Sequence, residues 1–277
     1  MEFMPLSSRW LEIDGLRIHY QTAGSGPPLV LLHGLLGGSF CWRHNLESLA
    51  QQHTVFAVDL PGHGLSDAPA EIDCSMVRQA ERVSRLMREL SLHHVGLMAC
   101  SYGAAVALWL ASAEQVSALV LVAPANPWSD FGRQRIEFLS TRFGGRFLRA
   151  IFPISGPIHW IALRRMYGTP ANATREAKRG YVEHIIKPGR AHNSLATLRN
   201  WQADMNALRP LIPRIAAPTL LISGRKDRAV DPQSCEMLQQ QIPKCELISL
   251  PDLGHLPFEE APEVFNQIVL EFLARKA

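Results

Sequence analysis

Six short apolar runs recur along the chain, PLVLLHG, TVFAVDLPG, VGLMACS, SALVLVAP, PTLLISG and ELISLPD, and each is closed by Gly, Pro, Asp or Ser. Runs this short and this continuous match strands of a parallel sheet buried on both faces. Between them lie helix-length segments with a period of about 3.6 residues. Over 75–90, Met76, Val77, Ala80, Val83, Leu86, Met87 and Leu90 fall near one face. Strands alternating with helices predict a doubly wound α/β sheet. Ahead of it, WLEIDG and LRIHYQTAG meet at Asp14-Gly15, a strong signal for an antiparallel hairpin.

The alternation stops after Pro124 and resumes at Pro218. Residues 125–217 offer helical stretches broken by Gly144-Gly145, Pro153, Gly156-Pro157, Pro170 and Pro188, too long for a simple crossover. The expected organisation is therefore a core formed by 1–124 and 218–277, with 125–217 as a helical cap inserted over the C-terminal edge of the sheet.

Composition narrows the classes of partner. A chain of 277 residues, 47% hydrophobic, can bury a large core. The net charge of +3 comes without a dense Lys/Arg block, which excludes nucleic acid as the expected partner. The opening MEFMPLSSRWLEIDG carries Glu2 and no apolar stretch of signal-peptide length, and no run of about 18 apolar residues follows. A cytoplasmic protein without stable membrane insertion is expected. Cys41, Cys74, Cys100, Cys235 and Cys245 form no C-x-x-C pair, and their odd number argues for reduced, packed thiols.

The stretch LMACSYGAA, residues 97–105, sets a thiol beside a hydroxyl. A nucleophile on a strand-to-helix elbow needs small residues two before and two after it. Counting from Ser101 gives Ala99 and Gly103, whereas counting from Cys100 gives Met98 and Tyr102, so only the serine fits. His33-Gly34 closes an earlier strand in LVLLHGLLGGSFCW, a turn whose next amide can face the substrate of that nucleophile. Leu35 N–H and Tyr102 N–H, the amide after the serine, are thus the candidate oxyanion donors. His33 itself reads as a brace for the loop.

The His-Gly loop at 33–38, VDLPGHGLSD at 58–67, the serine elbow, LLISGRKDRAVDP at 220–232 and LPDLGHLPFEEAPEVFNQIVLEFL at 250–273 together resemble the α/β-hydrolase superfamily, in its cap-bearing, cofactor-free, serine esterase and lipase-like members. The resemblance covers nearly the whole chain and departs at Ala99, where the family pattern G-x-S-x-G has glycine. It implies a mostly parallel eight-stranded sheet and a triad in the chain order serine, acid, histidine. Asp227 matches the acid. Asp231, before Pro232, reads as a helix N-cap, and Asp252 as part of a turn. His255, in LGHLPFEE, matches the base. His63 in PGHG reads as structural, and His93-His94 lack further ligands, so no metal or cofactor is expected.

The activity expected is hydrolysis of a small-molecule carboxylic ester with an apolar acyl or alcohol part, through an acyl-enzyme on Ser101. The resemblance disfavours haloalkane dehalogenases and epoxide hydrolases, which use aspartate where Ser101 stands, and plant-type hydroxynitrile lyases, which carry lysine where Leu256 stands. Carbon–carbon bond hydrolases of the meta-cleavage type, lactonases, thioesterases and perhydrolases share the triad. A non-catalytic binding protein on the same fold is the alternative from another class. In the cap, Arg133, Arg135, Arg142, Arg146, Arg149, Arg164 and Arg165 face only Asp130 and Glu137, interleaved with Ile136, Phe138, Leu139, Phe143, Phe147, Leu148, Ile151 and Phe152. Arginines that solvate a lid packed on the core are expected, ahead of arginines that guide anionic or acyl-chain substrates. Attachment to an anionic membrane is the minor reading, because Gly144-Gly145 should interrupt a long amphipathic helix.

Overall fold

Apolar runs closed by turn residues become strands in the order the pattern predicts. The computed structural model describes residues 4–129, 141–182, 185 and 190–275. Its strands are β1 (Met4–Ile13), β2 (Leu16–Gly24), β3 (Pro28–Leu32), β4 (Thr54–Val58), β5 (Gly96–Cys100), β6 (Ala118–Val122), β7 (Thr219–Gly224) and β8 (Cys245–Leu250). They form one sheet in the order β1-β2-β4-β3-β5-β6-β7-β8. β2 pairs antiparallel with both β1 and β4, and every other neighbouring pair is parallel. The β1–β2 turn places Asp14 at φ 55 and Gly15 at φ 73, the two positive angles that a tight hairpin turn of this hand requires.

The two-residue period of the strands divides the core in two. Val30, Leu32, Leu97, Ala99, Leu119 and Leu121 project into one buried cluster, with helices α2 (Met76–Glu89), α3 (Ser101–Ala113) and α6 (Arg190–Leu208). Leu29, Leu31, Met98, Cys100, Val120 and Val122 project into the other, with α1 (Leu46–Ala50) and α8 (Pro262–Ala274). Both faces are covered, which is why the strands read as unbroken apolar runs. The helix expected over 75–90 is α2, with Met76, Ala80, Val83, Leu86 and Met87 buried. α3 is apolar on nearly all sides, as a helix enclosed by protein must be.

Between β6 and β7 every described element is helical. α4 spans Arg142–Ile151 and α5 spans Gly156–Met166, separated by a 3-10 turn at Phe152–Ile154. Gly156-Pro157 opens α5 and Pro170 opens a short 3-10 turn, as expected. Gly144-Gly145 does not break the chain as expected, because both glycines lie inside α4. Thr141 supplies the reason: its Oγ1 accepts from Gly144 N–H at 3.0 Å and its carbonyl accepts from Gly145 N–H at 2.9 Å, capping the turn that contains the pair. Asp130, Arg133, Arg135, Ile136, Glu137, Phe138, Leu139 and Pro188 lie outside the described residues. α7 (Pro232–Gln239) starts from Asp231, whose carboxylate accepts from Gln233 N–H at 3.0 Å, the N-cap role read from the sequence.

Candidate active site

β5 passes into α3 with no residue between them, and Ser101 stands at the junction with φ 50. A left-handed angle on a serine costs roughly 1–3 kcal/mol and persists only where the surroundings over-determine it. Two contacts do so here. The Ser101 carbonyl accepts from Ala125 N–H at 3.1 Å. Gly103, in the first turn of α3, lies so close to the end of β3 that a Cβ on it would stand 2.8 Å from Leu32 O and closer still to His33 O. The small residue two after the serine is thus an obligatory glycine. Ala99, two before it, is fully buried and has no positive φ, so a methyl group is accommodated there.

Cys100 points into the core cluster opposite that of Ala99 and reaches the cavity wall beside Ser101. All five cysteines are free, and Cys41, Cys74, Cys100 and Cys235 are buried. Burial pushes the Cys41 thiol well above its usual range, and Cys100 beside it acts in the same direction. A thiol held protonated like that of Cys41 is a poor nucleophile.

Tyr102 contributes its two ends to different tasks. Its ring is fully buried, stacked 6.0 Å from His63 and 6.2 Å from Trp201, and its hydroxyl donates to Cys74 O at 3.3 Å. Its amide belongs to the first turn of α3, where backbone N–H groups have no intrahelical acceptor and the helix favours negative charge. Leu35 lies in the loop closed by Gly37 N–H donating to Gly34 O at 3.0 Å, and it lines the same cavity as Ser101. His33 holds this loop. Its Nε2 accepts from Leu60 N–H at 3.0 Å, so Nδ1 carries the proton and donates to Gly34 O at 2.8 Å. Burial keeps its imidazole below the usual range and therefore neutral.

Asp227 and His255 are brought together from loops that follow β7 and β8. His255 Nδ1 lies 2.8 Å from Asp227 Oδ2, and the two side chains are only 4% and 1% exposed. The other carboxylate oxygen accepts from Ala229 N–H at 2.7 Å and Val230 N–H at 3.0 Å, which fixes the plane of the group. The His255 loop is clasped from the helical insertion: His255 N–H donates to Met166 O at 2.7 Å, and Glu260 accepts from Gly168 N–H and Gly254 N–H at 2.8 Å each. Gly168 fits only without a side chain, since a Cβ there would stand 2.5 Å from Asp252 O. Asp252 itself is exposed and pairs with Lys226 at 2.9 Å.

Ser101 and His255 line one cavity of about 140 Å³. The Leu35–Gly37 loop and Cys41 form one wall, and Leu163, Met166, Tyr181 and Ile185 of the insertion form another. Ser101 Oγ has no hydrogen-bond partner among the described residues. Two polar groups of the wall escaped the sequence reading. His159, on α5, presents a buried Nε2 without a partner, and burial lowers its pKa. Tyr181 donates to Glu259 at 2.7 Å. Nothing in the spacing of either residue marks it, because only the packing of the insertion on the core brings them to the serine.

Fold and site together define a hydrolase-type α/β architecture, and the chain belongs to the alpha/beta hydrolase fold family, whose model matches residues 27–262. It is 28% identical over 290 residues to haloalkane dehalogenase 2 of Mycobacterium tuberculosis, covering 98% of this chain and 96% of that protein. It is also 28% identical over 270 residues to the pimeloyl-[acyl-carrier protein] methyl ester esterase of Nitrosomonas europaea, covering 90% and 96%. Among solved structures, an alpha/beta hydrolase fold protein from Burkholderia ambifaria superposes with a TM-score of 0.83 at 26% identity, covering 98% of this chain and 99% of that one.

Proposed function

We infer that the protein is a serine hydrolase of small carboxylic esters, with Ser101 as nucleophile, His255 as general base and Asp227 as the acid that orients it. The observation that carries this reading is the buried Asp227–His255 hydrogen bond opening onto the cavity that holds Ser101. With its Nδ1 proton donated to Asp227, the imidazole has Nε2 free to take the serine proton as Oγ attacks the ester carbonyl. The amides of Leu35 and Tyr102 hold the oxyanion; one such donor is commonly worth on the order of 10²–10³ in turnover. The imidazolium then protonates the leaving alcohol, and water, deprotonated by His255, releases the acid. Residues 125–217 act as the lid over this chemistry.

Two comparisons bear on the choice of bond. The Nitrosomonas relative named as a methyl ester esterase supports ester cleavage. The dehalogenase relative is equally similar, yet the resemblance assigns that chemistry to an aspartate where this chain has Ser101, and a serine offers no carboxylate to displace a halide. Hydrolysis of a carbon–carbon bond in a diketo acid calls for a cation to hold the substrate carboxylate, and no arginine or lysine lines the cavity among the described residues. Lactones and thioesters are open to the same three residues. A volume of 140 Å³ is about that of four or five waters, so a short acyl group fits it best.

The test is labelling with a fluorophosphonate, alongside turnover of p-nitrophenyl esters. Wild type and Cys100→Ala are expected to label and to turn over acetate and butyrate, while Ser101→Ala does neither. Labelling that survived in Ser101→Ala and vanished in Cys100→Ala would overturn the assignment.

A further inference from the structure

Helix α5 is apolar on two sides. One side, with His159, Leu163 and Met166, lines the Ser101 cavity. The other turns Ile158 and Ile161 outward, 62% and 58% exposed, and Ile154 just before the helix is 79% exposed. In α4 the usual arrangement is inverted: Gly144 and Gly145 are buried, while Phe143 and Phe147 are 74% and 50% exposed. Of the ten large hydrophobic residues exposed among those described, five fall within this stretch of 19 residues, 143–161. Scattered exposed apolar residues are ordinary, but a concentration within two consecutive helices and the turn that joins them is the kind of feature that marks an interaction site.

The charge around the patch identifies what covers it. Residues 142–166 contain five arginines and no aspartate or glutamate. Arg146, Arg164 and Arg165 are exposed. Trp160 lies between the two chemistries, with the Arg164 guanidinium 6.0 Å and the Lys178 ammonium 5.9 Å from its ring centroid. Large apolar side chains bordered by cations, with an amphipathic aromatic between, form the pattern of a helix that lies in a membrane interface. A second copy of the chain fits less well, since a two-fold contact would set these arginines against their own equivalents. No described helix is long and apolar enough to cross a membrane, so the contact is peripheral.

We propose that the surface of Phe143, Phe147, Ile154, Ile158 and Ile161, bordered by Arg146, Arg164 and Arg165, docks the protein onto an anionic lipid bilayer. Docking there brings to the interface the helix whose inner side walls the Ser101 cavity. It requires no particular chemistry at Ser101, so it stands or falls independently of the ester reading.

The experiment is co-sedimentation of the full chain with vesicles of phosphatidylcholine alone and of phosphatidylcholine mixed with phosphatidylglycerol in equal parts. Binding to the mixed vesicles is expected to be about tenfold tighter than to the neutral ones at low salt, and to weaken as salt rises. Phe147→Ser combined with Ile158→Ser should weaken binding to the mixed vesicles by about tenfold or more through lost apolar burial. Arg146→Gln with Arg164→Gln and Arg165→Gln should abolish the preference for anionic lipid. Unchanged thermal melting shows that both variants are folded. Wild type that binds neither vesicle, or serine variants that bind as it does, would overturn the proposal. A dimer in analytical ultracentrifugation that the serine variants dissolve would give the surface to a second copy instead.

Discussion

His255 Nδ1 and Asp227 Oδ2 are 2.8 Å apart, joined across 28 residues of sequence, and the second oxygen of the carboxylate is held by two backbone amides. In Asp227→Asn, Oδ1 can keep those amides while the new NH₂ group faces Nδ1. The imidazole must then accept at Nδ1 and carry its proton on Nε2, where it cannot take a proton from Ser101. Ester turnover is expected to fall on the order of 10⁴-fold with little change in Tm. Steady-state rates and thermal melting check this; a loss below tenfold would remove Asp227 from the proposed mechanism.

Gly103→Ala puts a methyl group against Leu32 O and His33 O, two carbonyls of a buried strand end that cannot swing aside. Overpacking of this kind costs about 1–3 kcal/mol or more. Thermal melting should show a drop of several degrees, and Ser101 labelling should slow because the same carbonyls border the Leu35 loop.

Ala99→Gly is expected to behave oppositely. The position needs no left-handed angle, and its methyl group is part of a packed cluster. Stability should fall by about 0.5–1 kcal/mol from backbone freedom, plus a small packing loss. The rate of fluorophosphonate labelling should stay within about twofold of wild type; a larger change would mean that the methyl group tunes the elbow.

Acid should destabilise the protein through His63. Burial, with the nearby His33 acting in the same direction, lowers its pKa from 6.5 to about 3. The unfolded chain takes up this proton below about pH 6.5 and the folded chain does not, so the stabilisation present above that pH is lost progressively down to about pH 3. Each such proton gives a slope of about 1.4 kcal/mol per pH unit. Denaturant unfolding between these limits should show it, and His63→Gln should flatten the slope by about one proton.

Glu259 ties the insertion to the core. Only 2% exposed, it accepts from Arg43 at 2.5 and 2.9 Å, from Tyr181 at 2.7 Å and from Tyr167 at 3.1 Å. Burial and this carboxylate together raise both phenols. In Glu259→Gln, Arg43 keeps, among the described residues, only the half-exposed Glu176 at 3.2 Å as a counter-charge. A loss of about 3 kcal/mol is expected, read as a fall in Tm of roughly 6–12 °C.

Much of the molecule was legible because it depends on local rules. The strands announce themselves as apolar runs because a sheet covered on both faces leaves no polar side. Asp14-Gly15 marks a turn that needs two positive φ angles, and Asp231 before Pro232 marks a helix start. The expectation of Ser101 over Cys100 rests on backbone crowding at the elbow, and a Cβ on Gly103 would stand 2.8 Å from Leu32 O at the end of β3.

What the sequence determined by itself was thus the order of elements, the sheet they form and the residue types available for chemistry, since period, capping and turn geometry act over a few residues. Only the tertiary structure decided that Gly144-Gly145 lies within a helix, because Thr141 caps it and the glycines face inward. Packing of α5 on the core likewise brought His159 to the cavity and left Ile158 and Ile161 facing solvent. Apolar periodicity states that a helix has faces to bury, but which face meets the core depends on contacts between segments far apart in the chain.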